Sequence, residues 1–170
     1  NSGVSNNTRG ISCGGNLYVA PTNVKSNIME FITIASTGDA TNFGDLTVPR
    51  SHTSGTSSPT RGVIMGGVDP ASVVKVIDFI TIASTGNSVD FADSTEGRKN
   101  LASCASSTRG VVAGGQNPGY VNNICHITMS TSGNQVDRGG DLTVGSTNVI
   151  SDSGGSCSLK GIDSIDATTE

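Results

Sequence analysis

Three stretches of this chain repeat one another, and that repetition limits the folds open to it. The phrase Thr-Arg-Gly, three further residues and a Gly-Gly pair begins at Thr8 and returns at Thr60 and Thr108. A second phrase, Phe-Ile-Thr-Ile-Ala-Ser-Thr-Gly, occurs unchanged from Phe31 and from Phe79, and in altered form from His126. A fixed period of about 20 to 50 residues is typical of solenoids, propellers and arrays. The fold must therefore be assembled from similar units.

The register of the repeat is 48 residues, because the phrase Asp-Leu-Thr-Val at Asp45 returns 96 positions later at Asp141, with Asp93 midway. Only the first unit departs from it, through a four-residue insertion between Gly15 and Phe31. The register predicts units over residues 1–49, 50–97 and 98–144, followed by a degenerate partial repeat or assembly segment over 145–170.

Each unit contains four segments that favour strands. We predict the first over Arg98 to Ser103, with its counterpart beginning at Arg50, and the third over Val76 to Ala83. The second is the Arg-Gly phrase with its Gly-Gly end, and the fourth leads into the repeated aspartates. Plentiful Val, Ile and Thr with 23 glycines favour short strands joined by tight turns. The fold class is therefore all-β, as tandem four-stranded antiparallel blades of about 48 residues.

Four strands per unit and a Gly-Gly pair closing the second strand resemble the kelch repeat of β-propellers. The resemblance covers residues 1–144, but the kelch pattern also has a Tyr and a Trp after the glycine pair, and this chain contains no Trp. The phrases Thr-Arg-Gly-Val and Ile-Thr-Ile-Ala-Ser-Thr-Gly are in turn similar to repeats of marine bacteriophage tail-fibre and virion proteins. That resemblance implies a kelch-like propeller, or part of one, in a virion or extracellular protein.

The recurring charges predict a structural device. An arginine lies at one place in the second strand of every unit, and an aspartate lies at the end of every fourth strand. In a chain with only 14% charged residues, such repetition favours a fixed partner, so we expect Arg–Asp bridges within or between blades. The residues concerned are Arg9, Arg61, Arg109, Asp45, Asp93 and Asp141.

The loops between the second and third strands differ from unit to unit and contain both tyrosines of the chain. Variable loops on a constant scaffold are a usual place for recognition, and a tyrosine beside amide groups suits a sugar or a partner protein. An equally good interpretation is that these loops vary because nothing constrains them. The candidate binding residues are Asn16, Tyr18, Asp69, Asn117 and Tyr120.

The pattern of chemically active residues does not favour an enzyme. His52 and His126 occupy unrelated repeat positions with no carboxylate in register, and His126 replaces a Phe, so packing is its expected role. Asp39 to Asp45 has oxygen ligands spaced somewhat like a calcium loop but lacks the closing Glu, and turn formation explains the same residues. We expect no catalytic residues, no cofactor and no metal.

The four cysteines are too far apart in the sequence to form a metal-binding pair. One or two disulfides are open to them outside a reducing cytosol, and buried free thiols are the alternative. The four are Cys13, Cys104, Cys125 and Cys157. The net charge of −4 indicates no nucleic-acid surface, and no apolar run has the length of a membrane span.

The number of units bears on function, because three units and a remnant do not close a propeller of four to eight blades. We therefore expect completion of the ring by a second copy or by the remainder of a longer chain, or stacking of the units around a threefold axis as a fibre. The predicted function is a non-enzymatic structural or adhesive module of a virion, assembling with virion proteins or binding a cell-surface glycan. The alternatives are a subunit of an extracellular fibril or surface layer and, less favoured, an enzyme on a propeller scaffold.

Overall fold

The computed structural model describes residues 1–143 and 155–156, and within them the chain is all-β. Three sheets follow one another along the chain, each from four consecutive antiparallel strands, with no helix in the described part. Sheet I contains β1 (Ser2–Ser5), β2 (Arg9–Val19), β3 (Thr22–Thr33) and β4 (Thr41–Asp45). Sheet II contains β5 (Ser54–Ser57), β6 (Arg61–Met65), β7 (Val76–Thr81) and β8 (Val89–Asp93). Sheet III contains β9 (Ala102–Ala105), β10 (Arg109–Ala113), β11 (Asn123–Thr128) and β12 (Val136–Asp141).

The all-β class and the four antiparallel strands per sheet are confirmed. Each sheet is a simple meander in which sequential strands are neighbours. A short strand from the predicted remnant, β13 (Gly155–Ser156), adds to sheet III in parallel with β9. The rest of the remnant, including Cys157, lies outside the described residues.

The first strands begin later than the sequence led us to expect. Where we predicted a strand over Arg98 to Ser103, β9 covers only Ala102–Ala105, and its counterpart β5 begins at Ser54 instead of Arg50. Arg50 and Arg98 lie in the connections before these strands, and both side chains are buried between sheets. The prediction was wrong because a buried arginine was interpreted as part of a strand.

The Gly-Gly pairs let consecutive sheets approach each other closely. Gly66 and Gly67 have φ of +59° and +104°, the left-handed region that side chains disfavour. A Cβ on Gly66 would collide with the carbonyl oxygen of Arg98, in the connection that leads into sheet III. Glycine is therefore required both by the backbone conformation and by the neighbouring chain.

Apolar residues from facing sheets form the core as separate layers. The layer between sheets I and II joins Val4, Ile11, Cys13, Met29, Phe43 and Leu46 to Ile64, Ile80 and Ile82. The layer between sheets II and III joins Val63, Met65, Ile77, Phe91 and Leu101 to Val112, Cys125, Ile127 and Met129. A third cluster, Val111, Ala113 and Ile124, lies on the other side of sheet III. The strands therefore have apolar residues on both faces, as expected of sheets between two neighbours.

The four-residue insertion lengthens one hairpin. β2 and β3 have 11 and 12 residues, against 5 and 6 for β6 and β7. Their pairing continues past a bulge at the glycine pair as far as Val19 and Thr22. We call the extension, residues 16–19 and 22–25, the arm.

Candidate functional site

The recurring arginines join one sheet to the next. The Arg9 guanidinium lies 4.6 Å from the centre of the Phe31 ring in its own sheet, and Nη1 donates to the carbonyl of Ile82 in sheet II at 3.0 Å. Arg61 repeats this with the Phe79 ring at 4.4 Å and the carbonyl of Met129 in sheet III at 3.1 Å. Both arginines contact an aromatic ring and a backbone carbonyl. The sequence analysis led us to expect the carboxylates of the repeated aspartates as their partners.

The recurring aspartates also join sheets, through their backbone. The N–H of Asp45 donates to Oδ1 of Asn87 at 3.0 Å, and its carbonyl accepts from the N–H of Ser88 at 2.8 Å. Asp93 repeats both contacts with Asn134 and Gln135 of sheet III. Asp141 holds the same place at the end of β12.

The buried ion pair lies elsewhere, between sheets I and II. Nη2 of Arg50 is 3.2 Å from Oδ2 of Asp78, and neither side chain is exposed. The Asp78 carboxylate also accepts from the N–H and hydroxyl of Thr47 and from the hydroxyl of Ser88. Burial lowers the pKa of Arg50, while the Asp78 charge acts in the opposite direction. A charged residue inside the apolar run Val-Ile-Asp-Phe-Ile was the sequence signal for this pair.

The next interface replaces the carboxylate with neutral groups. Arg98 donates to the carbonyls of Gly114 and Asn123, to Sγ of Cys125 at 3.2 Å and to Oε1 of Gln135 at 3.3 Å. Its only ionic neighbour in the described part is Glu96, with Nε and Oε1 3.9 Å apart. The two interfaces thus share a buried arginine but differ in what balances its charge.

One face of sheet I has no neighbouring sheet among the residues that the structure describes. We call it the outer face and define it by Gly10, Ser12, Ile28, Glu30, Ile32 and Ile34. Ile32 and Ile34 are 48% and 54% exposed, whereas their counterparts in sheet II, Ile80 and Ile82, are 2% and 0% exposed. A Cβ on Gly10 would meet only Ile32 of its own sheet, whereas one on the counterpart Gly62 would come within 2.6 Å of Val4 in sheet I. Glu30 is exposed at the place that the buried Asp78 occupies in sheet II.

The third arginine of the series, Arg109, is exposed. Within the part of the chain that the structure describes, no acceptor lies within hydrogen-bond distance of its guanidinium. The ring at the Phe79 position is His126, which is half-buried and pairs with Val111 across the strands. Partial burial, together with nearby Arg109 and Arg138, lowers the pKa of His126, so the ring stays neutral at pH 7.

The five candidate binding residues have different surroundings. Tyr18 and Tyr120 are 74% and 55% exposed, and no hydrogen bond among the described residues links their two loops. Oδ1 of Asp69 accepts from the N–H groups of Ala71 and Ser72, and these bonds lower the pKa of the Asp69 carboxyl. The N–H of Asn117 closes a turn on Gly119. Asn16 alone contacts a charged group, because its Oδ1 accepts from Nζ of Lys25 at 3.0 Å.

A polar cavity of about 420 Å³ lies where the first strands of the three sheets come together. Residues 3–7, 55–59 and 105–107 line it, and none of their side chains is titratable. Asn6, Ser58 and Ser106 each accept from the N–H of the recurring arginine three residues on. These side chains shape the turns between first and second strands, and the lining offers no group for acid–base chemistry.

The buried cysteines behave as small apolar residues. Cys13 and Cys125 are buried free thiols. Burial raises the pKa of Cys13 to about 12, so the thiol stays protonated and unreactive at neutral pH. Cys104 is half-buried in β9.

Neither a metal centre nor a membrane helix is found in the described residues. There, no three His, Cys, Asp or Glu side chains are grouped to hold an ion. The same residues contain no helix long and apolar enough to cross a membrane. Comparison with protein-family models and with curated proteins finds no match to this chain.

Proposed function

We propose that this chain is a non-enzymatic structural and adhesive repeat module of a virion or other extracellular assembly, and that the outer face of sheet I is an assembly contact. The observation that carries the proposal is the difference in exposure between Ile32 and Ile34 and their counterparts in sheet II. Within the described part of the chain, positions that a neighbouring sheet covers in the second unit are exposed in the first. Sheets with an apolar face are stable when that face is buried against another element.

We propose a second copy of this chain as the occupant of the outer face. The internal interfaces support this choice, because sheets of this repeat already pack on the counterparts of the same residues. Completing the burial of Ile28, Ile32 and Ile34 contributes on the order of 1 kcal/mol each. That total, about 3 kcal/mol from one copy, lies below the roughly 4–15 kcal/mol that association costs, and apolar area buried on the second copy has to supply the rest. We therefore expect association to be weak and to depend on concentration.

The finer assignment, kelch-like blades of a propeller, belongs to the same proposal. It is supported by the first strands β1, β5 and β9, which lie side by side as the inner strands of adjacent blades do. The virion setting is supported by the resemblance of the repeated phrases to tail-fibre repeats. Assembly requires no catalysis, and the residues that recur from unit to unit join sheets.

Sedimentation velocity over a range of concentrations tests the proposal. We expect a mass that rises above 17.1 kDa with concentration, and a rise that is lost in Ile32→Asp and Ile34→Asp. Val89→Asp is the matched control, because Val89 is 55% exposed but lies in sheet II. A compact particle of 17.1 kDa at every concentration would contradict the proposal. Negative-stain images separate discrete particles from the fibres expected of a fibril subunit.

A further inference from the structure

The arm presents four polar side chains on one face. In the β2–β3 register Asn16 is opposite Lys25, and Tyr18 is opposite Asn23. Directly paired residues, and residues two apart on one strand, share a face of a β-ribbon. Tyr18, Asn16, Asn23 and Lys25 therefore form one continuous surface, which we call the arm face. The Tyr18 ring lies at the tip of the arm face, and the Lys25 ammonium group lies at its base.

The base of the arm face is fixed to the connection that begins the second unit. Nζ of Lys25 donates to Oδ1 of Asn16 at 3.0 Å and to Oγ of Ser51 at 2.7 Å. Oγ of Ser51 lies 2.8 Å from Nδ1 of His52. Because an ammonium group only donates, the Ser51 hydroxyl accepts from Lys25, and the direction of its contact with Nδ1 depends on the tautomer of His52. Lys25 therefore joins the arm face to Ser51 and, through it, to His52.

The charge around the arm face is positive and unbalanced. Lys25 and Lys99 are both half-buried, and the ion pairs in the described residues, Arg50–Asp78 and Arg98–Glu96, include neither of them. Lys99 precedes Asn100, whose N–H donates to the carbonyl of His52 at 3.1 Å, and partial burial, then Lys25, lower the pKa of His52. In a chain with a net charge of −4, this cationic cluster is a local exception. It is complementary to an anion.

We propose that the arm face binds an acidic saccharide, with a sugar carboxylate at Lys25 and a sugar ring on Tyr18. A flat ring that is 74% exposed stacks on the apolar face of a pyranose, and the Asn16 and Asn23 amides are matched to vicinal hydroxyls. This combination favours a sugar over an acidic peptide, because the arm face offers one aromatic platform flanked by amides. The proposal rests on the adhesive part of the proposed function and names its ligand class.

Calorimetric titration with a glucuronate-containing oligosaccharide and its carboxyl-reduced counterpart tests the site. We expect the acidic sugar alone to bind, with affinity that falls as salt rises. Lys25→Met and Tyr18→Ala each lower the affinity about tenfold or more, and Lys25→Arg retains most of it. Tyr120→Ala and Lys75→Met are the matched controls and leave the affinity unchanged within about twofold.

Three results would overturn the inference: equal binding of the reduced sugar, unaltered binding by both Lys25→Met and Tyr18→Ala, or equal competition by polyglutamate. Tyr18 lies at an exposed tip, so Tyr18→Ala tests the site without endangering the fold. Sedimentation of the same variants separates this inference from the proposed function. Loss of saccharide binding with self-association intact concerns the arm face alone.

Discussion

Arg9, Arg61 and Arg109 occupy one position of the repeat, but within the described residues only the first two contact a neighbouring sheet. Arg61 stacks on Phe79 and reaches the Met129 carbonyl across the interface. Arg109 faces His126 instead of a Phe and is exposed. A repeated residue type therefore indicates a repeated backbone position, and whether that residue stabilises the fold depends on the neighbouring unit.

Replacing Arg61 tests this dependence at the residue scale. We expect Arg61→Ala to lower the free energy of unfolding by about 1–2.5 kcal/mol, the sum of a hydrogen bond and a cation–π contact. Arg109→Ala is the matched control, and its effect should stay within about 0.5 kcal/mol. Urea denaturation followed by circular dichroism measures both. Equal losses in the two variants would contradict the inter-sheet role.

Arg50 and Asp78 form the junction between the first two sheets at the scale of structural elements. Removing both charges from water costs free energy, and Nε and Nη1 of Arg50 have no hydrogen-bond partner among the described residues. Besides the contact with Arg50, the Asp78 carboxylate accepts three hydrogen bonds from Thr47 and Ser88. Removing one charge alone leaves the other buried and uncompensated.

A double-mutant cycle on Arg50 and Asp78 measures the coupling free energy between the two side chains, and we expect this coupling to be stabilising. Arg50→Met alone should cost about 3–5 kcal/mol of unfolding free energy, because it leaves Asp78 buried without its cation. Arg50→Met with Asp78→Asn should cost less than the sum of the single changes, since the neutral amide side chain still accepts from Thr47. The control cycle combines Asp78→Asn with Arg98→Met. Because Arg98 lies in the next interface, the free-energy changes of these two substitutions should add. Additivity in the Arg50 cycle would refute the coupling.

Whether a feature could be predicted depended on whether its sequence pattern lay within one short segment of the chain. The phrases from Phe31 and Phe79 carry β-branched residues at regular spacing, so the third strands and the all-β class could be predicted. The Arg–Asp bridges could not, because several arginines and aspartates recur and only packing selects Arg50 with Asp78. The sequence indicated the four-residue insertion and two candidate binding residues of the arm, Asn16 and Tyr18. It did not indicate Lys25, Ser51 and His52, because Lys25 and Ser51 are 26 positions apart in the sequence. Contacts between residues so far apart produce no periodic pattern in the sequence.

At the scale of the whole molecule, the sheets differ in how many neighbours they have. Among the residues 1–143 and 155–156, sheet II packs against sheets I and III, whereas sheet I packs against sheet II on one face only. Local opening is easiest where few buried apolar contacts must be broken. Sheet I is therefore expected to open before sheet II, and a second copy on the outer face would oppose that opening.

Hydrogen–deuterium exchange measured by mass spectrometry tests this order. In dilute solution we expect the amides of Arg9 to Cys13 in β2 to exchange faster than those of Arg61 to Met65 in β6, although both lie in second strands. As the concentration rises, the β2 amides should become more protected while β6 is unchanged, because association covers only the outer face. Ile32→Asp should abolish the concentration dependence and leave the dilute rates of β6 as they were. Equal rates in β2 and β6 would show that sheet I is not weakened by its bare face. Rates in β2 that do not change with concentration would rule out a second copy as the partner of that face.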